Sequence, residues 1–504
     1  MPIAPGLRRL PLLSRRLWTK LAHAKARRAL LERARHHPIN PAGALARWLE
    51  PRRHQEPIRT DAGEVLDCTE GRYNQRRLSS PGPWRTLCKA PWVSLDIRMD
   101  GSVSFCNHGG FIIGNVATDS LLDLWRGARA EEFRKTLGGF CVPSLDCAHC
   151  AHQLRIGQPQ ATFASTHFDQ WRMPGREPTG FYPQMLIFRM SSVCNLGCVM
   201  CNGETSSYIR KHVDRLPPIR PRYPDSLFEE LRTFLHHADY VEFYGGEPFV
   251  VEEHLRIFDL MLEMPPGDRP AIYVNTNGTV LTKRIERYLE ELPFLHIGVS
   301  LDGVTAETNG RVRVAVKHDV QMRNLEYFRD YARRKSVKLS LNVTETRQNW
   351  FEIPDLFRLA ATLGAAVHIN HCIFPEHCVL YTLPLPELKF VLDYLSSERG
   401  RLHHTPDFAA ENSGSYAFLL ENLAQAYRRR ADVRQRDDLD AALQHASQGY
   451  VRIERDSTLV MPSPAWVRAR GACFAEKFMA ALPSAPVAAA WRAAFDSGGQ
   501  DCPR

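Results

Sequence analysis

Apolar residues between about residues 184 and 385 follow two alternating patterns. Short runs rich in β-branched and aromatic residues are typical of strands, and apolar residues that recur every three or four positions are typical of helices. The predicted strands are one that ends before Met190, followed by 240–244, 271–275, 296–301, Val337–Thr344 and Ala366–Asn370. The predicted helical core positions are Leu227, Phe228, Leu231, Phe234 and Leu235, then Leu255, Phe258, Leu260 and Leu262, then Ile285, Leu289 and Leu292.

Strands that alternate with helices predict a parallel sheet built from six βα units, so the fold class is α/β. Six units are too few for a complete eight-unit barrel. In such folds the loops after the carboxyl ends of the strands share one rim and carry the chemistry. We therefore look for functional residues at those loops.

The first of these loops carries Cys194, Cys198 and Cys201. Thiolates hold a [4Fe-4S] cluster, normally one for each iron, and gaps of three and two residues let a short loop hold three corners. The fourth iron would then remain open for chemistry. A zinc site or three buried thiols would also explain the spacing, and the triplet alone does not decide between them.

Three further turns follow the next predicted strands. The sequence Gly-Gly-Glu-Pro occupies 245–248, Asn-Thr-Asn-Gly occupies 275–278, and Ser-Leu-Asp-Gly occupies 300–303. Each is an ordinary turn former on its own. Their order after successive strands, behind the cysteine loop, is the informative observation.

Taken together, these segments resemble the radical S-adenosylmethionine (radical SAM) superfamily. The resemblance implies an open, partial (βα)6 TIM-like barrel in which three cysteines hold a [4Fe-4S] cluster and SAM chelates the fourth iron. It also implies reductive cleavage of SAM to a 5′-deoxyadenosyl radical. The implied cluster ligands are Cys194, Cys198 and Cys201. The residues implied to position SAM are Gly245, Gly246, Glu247, Pro248, Asn277, Ser300 and Arg313.

Two of these implied roles are specific. The Glu247 side chain, with the backbone around it, is expected to receive the SAM ammonium. Ser300 and Arg313 are expected to contact the SAM carboxylate or ribose, and Arg311 is an alternative to Arg313.

A second group of cysteines precedes the barrel and consists of Cys88, Cys106, Cys147 and Cys150. With the runs Cys-Lys-Ala-Pro-Trp and Cys-Ala-His-Cys, it resembles a SPASM/twitch module. Four cysteines suffice for one auxiliary [4Fe-4S] cluster with no open iron. A structural zinc ribbon is the alternative. Such a module usually follows the barrel, so its position here is a departure from the family pattern.

Other candidate ligands near this group have more than one possible role. Cys141 is either a substitute ligand or a bystander, and His108 and His149 are expected beside the ligands or at the surface. The remaining cysteines are predicted to be free thiols: Cys68, Cys372, Cys378, Cys473 and Cys502.

Composition indicates an intracellular protein. Thirteen cysteines with these spacings favour metal binding in a reducing compartment over a disulfide framework. No run of about twenty apolar residues occurs, so no membrane-spanning segment is predicted. We expect a cytoplasmic location, with peripheral membrane attachment as a variant of it.

The net charge of +9 is concentrated at the amino terminus. Residues 1–60 hold fourteen Lys and Arg against three Asp and Glu, a net +11, which leaves −2 for the other 444 residues. No nucleic-acid partner is therefore expected. The segment would be a basic helix on an anionic membrane surface, a helix that binds an acidic partner, or a solvated extension. Charges at Arg15, Arg16 and Lys20 interrupt its apolar stretch and argue against a signal peptide.

The predicted domain organisation has five parts. They are a basic helical extension (1–60), a linker (61–84), a SPASM/twitch-like auxiliary-cluster module (85–155), a radical SAM core (180–385) and a helical carboxyl-terminal extension (386–504). Leu388, Phe390, Val391 and Leu395 are core candidates of the last part.

The sequence therefore predicts a radical SAM oxidoreductase or radical-based modifying enzyme. An auxiliary cluster that accepts an electron favours net oxidation of a small metabolite. The alternatives are maturation of a ribosomally made peptide and, in another class, a non-catalytic iron-sulfur or zinc protein. A flavodoxin or ferredoxin would supply electrons. The base is unassigned, with Glu345, His368 and His371 as candidates near the last two strands.

Overall fold

The computed structural model describes most of the chain between residues 56 and 431 and a few residues beyond it. The described residues are 56–77, 86–155, 157–171, 182–219, 223–402, 407–431, 462, 466, 467, 469, 470, 475, 478 and 479. The predicted basic helix lies outside them, as do Cys473, Cys502 and most of 432–504.

The described strands and helices are as follows. The strands are β1 Pro57–Thr60, β2 Val65–Thr69, β3 Ser94–Arg98, β4 Ser102–Ser104, β5 Gly114–Asn115, β6 Cys141–Val142, β7 Met185–Arg189, β8 Gly197–Cys198, β9 Tyr240–Phe243, β10 Ala271–Thr276, β11 Phe294–Ser300, β12 Arg313–Val314, β13 Lys338–Glu345 and β14 Ala366–His371. The helices are α1 Glu70–Arg76, α2 Ala90–Val93, α3 Leu121–Arg126, α4 Ala128–Gly138, α5 Ala148–Arg155, α6 Ser207–His212, α7 Asp225–His237, α8 Glu252–Glu263, α9 Lys283–Glu291, α10 Ala306–Val312, α11 His318–Lys335, α12 Ile353–Leu363, α13 Leu385–Glu398 and α14 Ala409–Ala431.

The six predicted strands are all present and form consecutive parallel neighbours in the order β7, β9, β10, β11, β13 and β14. Strand β14 is one edge of the sheet, so the barrel is open. The α/β fold class and the six-unit partial barrel are therefore confirmed.

The helices that join these strands form where apolar residues recur with helical period. On α7 all five predicted core positions are buried: Leu227, Phe228, Leu231, Phe234 and Leu235. The next helix, α8, packs on the outer face of the sheet in the same way. Its Phe258 contacts Phe243 of β9, with ring centroids 4.5 Å apart. The opposite, inner face of the sheet therefore remains available for polar residues.

The amino-terminal module extends the same sheet. Strand β3 pairs in parallel with β7, the first barrel strand, from Ser94 opposite Met185 to Arg98 opposite Arg189. Strands β4 and β5 then add to β3 in antiparallel fashion. The module and the barrel are thus one nine-stranded sheet.

The predicted linker at 61–84 is wrong for the residues described within it. Val65–Thr69 is a strand and Glu70–Arg76 a helix, and β1 pairs with both β2 and β6. Tyr73 is fully buried and its hydroxyl donates to the Leu87 carbonyl oxygen at 2.8 Å. The Gly- and Arg-rich composition conceals these elements because a short strand and a two-turn helix depend on packing against the module rather than on their own periodicity.

The carboxyl-terminal helices cover the other edge of the sheet. The four predicted core residues of α13, namely Leu388, Phe390, Val391 and Leu395, are buried. The Asn412 side chain of α14 accepts a hydrogen bond from the Val367 amide at 2.8 Å and donates to the Ala365 carbonyl oxygen at 3.1 Å. The helical extension therefore caps strand β14.

No helix in the described part of the chain is both long and apolar enough to cross a membrane.

Replacing Leu95 with alanine tests the joint between module and barrel. Leu95 lies in β3, is 0% exposed and stands opposite Leu186 of β7. We expect the free energy of unfolding to fall by roughly 2–5 kcal/mol, as for other buried leucines. Urea denaturation followed by circular dichroism measures the change.

The matched control is Val65→Ala, because Val65 is 53% exposed in the neighbouring sheet. Its effect should stay within about 0.5 kcal/mol. Equal, small effects of both substitutions would contradict the assigned pairing of β3 with β7.

Candidate functional site

The loop after β7 carries the three predicted ligands and is anchored on two sides. Cys198 lies in β8, which pairs with β12 so that Cys198 stands opposite Arg313. The Ser207 hydroxyl, at the start of α6, accepts from the Cys194 amide at 3.0 Å and donates to the Cys194 carbonyl oxygen at 3.1 Å. The backbone of the loop is therefore held in place before any cofactor binds.

Arg313 brings a buried positive charge to this loop. Its Nη1 lies 3.6 Å from Cys198 Sγ, and its Nη2 lies 2.8 Å from Asp302 Oδ2. Burial raises the pKa of Cys194 to about 12, whereas a hydrogen bond with Cys198 lowers the pKa of Cys201. A hydrogen bond with Cys201 and burial raise the pKa of Cys198, and the Arg313 charge acts to lower the pKa of each of the three thiols, against the effect of burial. It thereby favours the thiolate form that binds metal.

Arg311, the predicted alternative, has a different position. Its Nη2 pairs with Glu307 at 2.7 Å on the surface of α10. The structure therefore brings Arg313, and not Arg311, to the cysteines.

The two glycines of the 245–248 turn pack against the segment that leads into the cysteine loop. Gly246 has φ +51°, and a Cβ there would lie 2.2 Å from the Val193 carbonyl oxygen. The Glu247 amide donates to that same oxygen at 2.8 Å. Only glycine permits this approach of the two backbones, so the turn sets the position of Val193 and hence of Cys194.

Glu247 is fully buried and braces two loops. Its Oε1 accepts from the Thr276 hydroxyl and its Oε2 from the Asn277 amide, each at 2.6 Å. Burial raises the pKa of Glu247, and these hydrogen bonds oppose the rise. The role of this side chain toward the SAM ammonium stays a prediction, and the structure shows its carboxylate buried and bonded to the 275–278 turn.

Asn277 links the third turn to the cysteine loop. Its Nδ2 donates to Asn195 Oδ1 at 2.8 Å, and Asn195 follows Cys194 directly. Its Oδ1 accepts from the amide and the hydroxyl of Thr279. The turns at 245–248 and 275–278 thus both contact the cysteine loop.

Gln321 joins the third and fourth turns and was missed at the sequence level. Its Nε2 donates to the Asn277 carbonyl oxygen at 2.6 Å and to the Ser300 carbonyl oxygen at 3.0 Å. Its side chain is 0% exposed. In the sequence it is one polar residue among many on α11, and no local signal distinguishes it.

The inner face of the sheet is polar. Ser300 donates to Asn275 Oδ1 at 3.2 Å, and Asn342 Nδ2 contacts both that oxygen, at 2.8 Å, and the Tyr273 hydroxyl, at 3.2 Å. Glu242 and His296 stand beside Tyr273 in the strand register and so share its face. A polar interior of this kind suits a polar substrate.

The four cysteines of the amino-terminal module line one cavity. They are Cys88, Cys106, Cys147 and Cys150, accompanied by His108 and His149. Burial raises the pKa of each of the four thiols. In the described residues, no three His, Cys, Asp and Glu side chains form a ready site for a single metal ion.

Backbone amides point at the sulfur atoms of this cavity. The Ala90 amide donates to Cys88 Sγ and the His108 amide to Cys106 Sγ, each at 3.4 Å. The amides of Phe163 and Ala164 donate to Cys150 Sγ. Such donors stabilise thiolates and are a recognised means of tuning iron-sulfur clusters. The donor set of four half-buried cysteines therefore fits a fully ligated cluster.

Cys141 does not line this cavity. It lies in β6, opposite Arg59 of β1. The structure therefore favours the bystander role over the substitute ligand.

Two family models match the parts of the chain that contain these cysteines. Residues 188–360 match the radical SAM superfamily, and residues 88–151 match the SPASM iron-sulfur cluster-binding domain. The chain contains a radical SAM domain and a SPASM domain. A radical SAM domain implies a [4Fe-4S] cluster and SAM, and a SPASM domain implies auxiliary iron-sulfur chemistry.

Curated proteins of known name are similar to part of the chain. The chain is 26% identical over 189 residues to the mycofactocin maturase MftC of Mycobacterium tuberculosis strain H37Rv, covering 37% of this chain and 44% of that protein. It is 27% identical over 232 residues to the Fe-coproporphyrin III synthase of Methanosarcina barkeri, covering 45% and 54%. The chain thus spans about half the length of these relatives.

Solved structures are also similar to part of the chain. Streptococcus suis SuiB bound to its precursor peptide SuiA has a TM-score of 0.31 at 15% identity and covers 54% of this chain and 64% of that one. The structure of anSMEcpe with bound AdoMet has a TM-score of 0.33 at 20% identity and covers 43% and 59%.

The three candidate bases, Glu345, His368 and His371, lie on different faces of the sheet. Glu345 lies three residues beyond inward-facing Asn342, so it points to the opposite side of β13. It binds His371 at 2.7 Å, and His371 Nε2 lies 3.0 Å from Asn422 Nδ2 on α14. His368 instead lies on the inner face beside His296, with ring centroids 5.8 Å apart. Only His368 of the three faces the interior.

Three predicted free thiols lie within the described residues, and Cys68, Cys372 and Cys378 are indeed unpaired. Cys372 and Cys378 are buried against Val199 and Met200 of the radical SAM cysteine loop. They therefore serve as small apolar residues behind that loop.

Gly246→Ala tests the packing of the 245–248 turn. The added Cβ meets the Val193 backbone, and φ of +51° is strained for alanine, so we expect a loss of roughly 1–3 kcal/mol in the free energy of unfolding. Displacement of Val193 should also lower the iron bound at the neighbouring cysteine loop. Urea denaturation and iron content after anaerobic reconstitution measure the two effects.

The matched control is Gly267→Ala, where a Cβ would meet no atom within 4 Å. Its stability and iron content should match the unmodified chain. An equally harmless Gly246→Ala would refute the close approach of the two loops.

Proposed function

We propose that the chain is an enzyme that cleaves SAM reductively and abstracts a hydrogen atom from a substrate held in the barrel. The observation that best supports this proposal is that the turns at 245–248 and 275–278 both contact the loop of Cys194, Cys198 and Cys201. When bound, the cluster and SAM would together supply a 5′-deoxyadenosyl radical. The protein's own part is to bind, orient and shield the reacting groups.

The described contacts support three roles for the rim residues: holding the cluster, positioning SAM and holding the turns in place. Cys194, Cys198 and Cys201 would hold the cluster, with Arg313 stabilising their thiolates. Gly245, Gly246, Asn277 and Ser300 would position SAM through backbone and side-chain polar groups. Glu247 and Gln321 would act as positioning residues, because both are buried and tie the turns together.

The SPASM module would hold one auxiliary cluster through Cys88, Cys106, Cys147 and Cys150. With four thiolates such a cluster has no open iron, so its role would be electron transfer rather than substrate binding. Acceptance of an electron favours a net oxidation. A small electron-transfer protein such as flavodoxin or ferredoxin would supply the reducing electron for SAM cleavage.

A small polar metabolite is the substrate class that the inner face suits best. Glu242, Tyr273, His296, Asn342 and His368 line that face. Peptide maturation is the second candidate, favoured by the name of the relative MftC, a maturase. The Fe-coproporphyrin III synthase shows that a relative of this chain is named for a non-peptide product.

Anaerobic reconstitution tests the proposal. The purified chain should bind about eight irons, four for each cubane cluster, and should form 5′-deoxyadenosine from SAM after dithionite reduction. The Cys194/Cys198/Cys201→Ala triple variant should keep about four irons and form no 5′-deoxyadenosine. Iron and sulfide analysis with chromatography of the nucleoside products provides both readings.

The matched control is Cys141→Ala, because this cysteine lies outside the auxiliary cavity. It should keep both iron content and SAM cleavage. Zinc in place of iron, or iron without 5′-deoxyadenosine, would overturn the proposed function.

A further inference from the structure

One buried carboxylate connects the SPASM module to the barrel. Asp96 of β3 is 0% exposed, and Arg189 of β7 binds it with two hydrogen bonds, Nε to Oδ1 at 2.8 Å and Nη2 to Oδ2 at 2.5 Å. Arg98 Nε and the Ser104 hydroxyl also donate to Oδ2, each at 3.0 Å. We name Asp96, Arg98 and Arg189 the Asp96 junction.

The far end of Arg98 holds the loop of an auxiliary ligand. Its Nη2 donates to the Cys106 carbonyl oxygen at 3.3 Å, to the Gly109 carbonyl oxygen and to the Ser104 hydroxyl at 2.9 Å. Arg189 contacts neither of those carbonyl groups and reaches the junction only through Asp96. The two arginines therefore differ in role: Arg98 supports the backbone of the Cys106 loop, whereas Arg189 contributes charge.

The junction carries an excess of positive charge beside Cys106. Two guanidinium groups share one carboxylate, which leaves a net charge of +1. The junction adjoins an auxiliary ligand, because Arg98 Nη2 lies 3.3 Å from the Cys106 carbonyl oxygen and Arg189 shares the Asp96 carboxylate with Arg98. The Asp96 side chain is 0% exposed and the Arg189 side chain is 29% exposed, so solvent and salt screen the charges of the junction only partly.

An iron-sulfur cluster held by four thiolates is anionic and gains a further negative charge on reduction. Net charge and hydrogen bonds near the sulfurs set the reduction potential of such clusters. A positive neighbour stabilises the reduced form and makes the potential less negative. A less negative potential makes a cluster a better one-electron acceptor.

We propose that the Asp96 junction raises the reduction potential of the auxiliary cluster held by Cys88, Cys106, Cys147 and Cys150. The inference rests on the proposed function, since it requires that cluster. It assigns Arg189, a barrel residue, to tuning a cluster of the other domain. Strand β7 thus leads into the loop of Cys194. Arg189, five residues before Cys194, carries the charge that acts on the auxiliary cluster.

Two substitutions that change the net charge of the junction in opposite directions test the proposal. Arg189→Gln lowers the net charge of the junction from +1 to 0 and leaves the bonds of Arg98 to the Cys106 loop in place. Asp96→Asn raises it from +1 to +2. We expect the potential to become more negative in the first variant and less negative in the second. Arg189→Lys keeps the charge and should restore a potential near that of the parent.

The measurement is a redox titration followed by electron paramagnetic resonance. All variants are made in the full chain that carries the Cys194/Cys198/Cys201→Ala change, so that only the auxiliary cluster contributes a signal. The matched control is Arg323→Gln, which removes a positive charge from an exposed pair on α11, where Arg323 is 66% exposed. It should leave the potential unchanged.

Opposite shifts in the two charge variants, with Arg189→Lys near the parent, support the proposal. Equal shifts, or no shift, at unchanged iron content overturn it and leave the proposed function intact. Absence of iron from the parent triple variant overturns the auxiliary cluster as well. If Asp96→Asn alone loses iron, the comparison of Arg189→Gln with Arg189→Lys still decides, because a charge effect separates those two variants.

Discussion

Pairing of β3 with β7 is the constraint on which both sites depend. Each strand carries a functional segment beyond its end: β7 leads into the loop of Cys194, and β3 leads through β4 to Cys106. Because hydrogen-bonded strands lie about 4.8 Å apart, this pairing fixes the relation between the two cysteine groups more rigidly than a flexible linker would. Asp96 reinforces it by binding one arginine from each strand.

The rim of the barrel shows how buried polar residues build a site without touching the reacting atoms. Glu247 and Gln321 are both fully buried, and each bonds the backbone of a turn that belongs to a different strand. Loss of either partner would leave a buried group unsatisfied, which is costly. These contacts hold three separate turns at one end of the sheet, where the cysteine loop also lies.

The repeating pattern of the barrel and the position of its turns were predictable from the sequence, whereas three features were not. The two-turn helix at Glu70–Arg76 lacks a periodic apolar face and depends on Tyr73 packing on the module. The bracing role of Glu247 requires knowledge that Thr276 and Asn277 stand beside it. The outward direction of Glu345 follows from β13 continuing to Glu345, one residue beyond the predicted end of the strand, and strand boundaries are the least certain part of a sequence prediction.

Local chemistry and periodicity are written in the sequence, and spatial proximity is not. The cysteine spacings, the glycine turns and the alternation of strand and helix determine two thiolate groups and a parallel sheet, since each depends on residues close together in the chain. Only the tertiary structure decides that a module placed before the barrel joins its first strand, that Arg313 reaches Cys198, and that Asp96 binds Arg189. Those contacts join residues about ninety or more positions apart, and their energy appears only when the sheet brings them together.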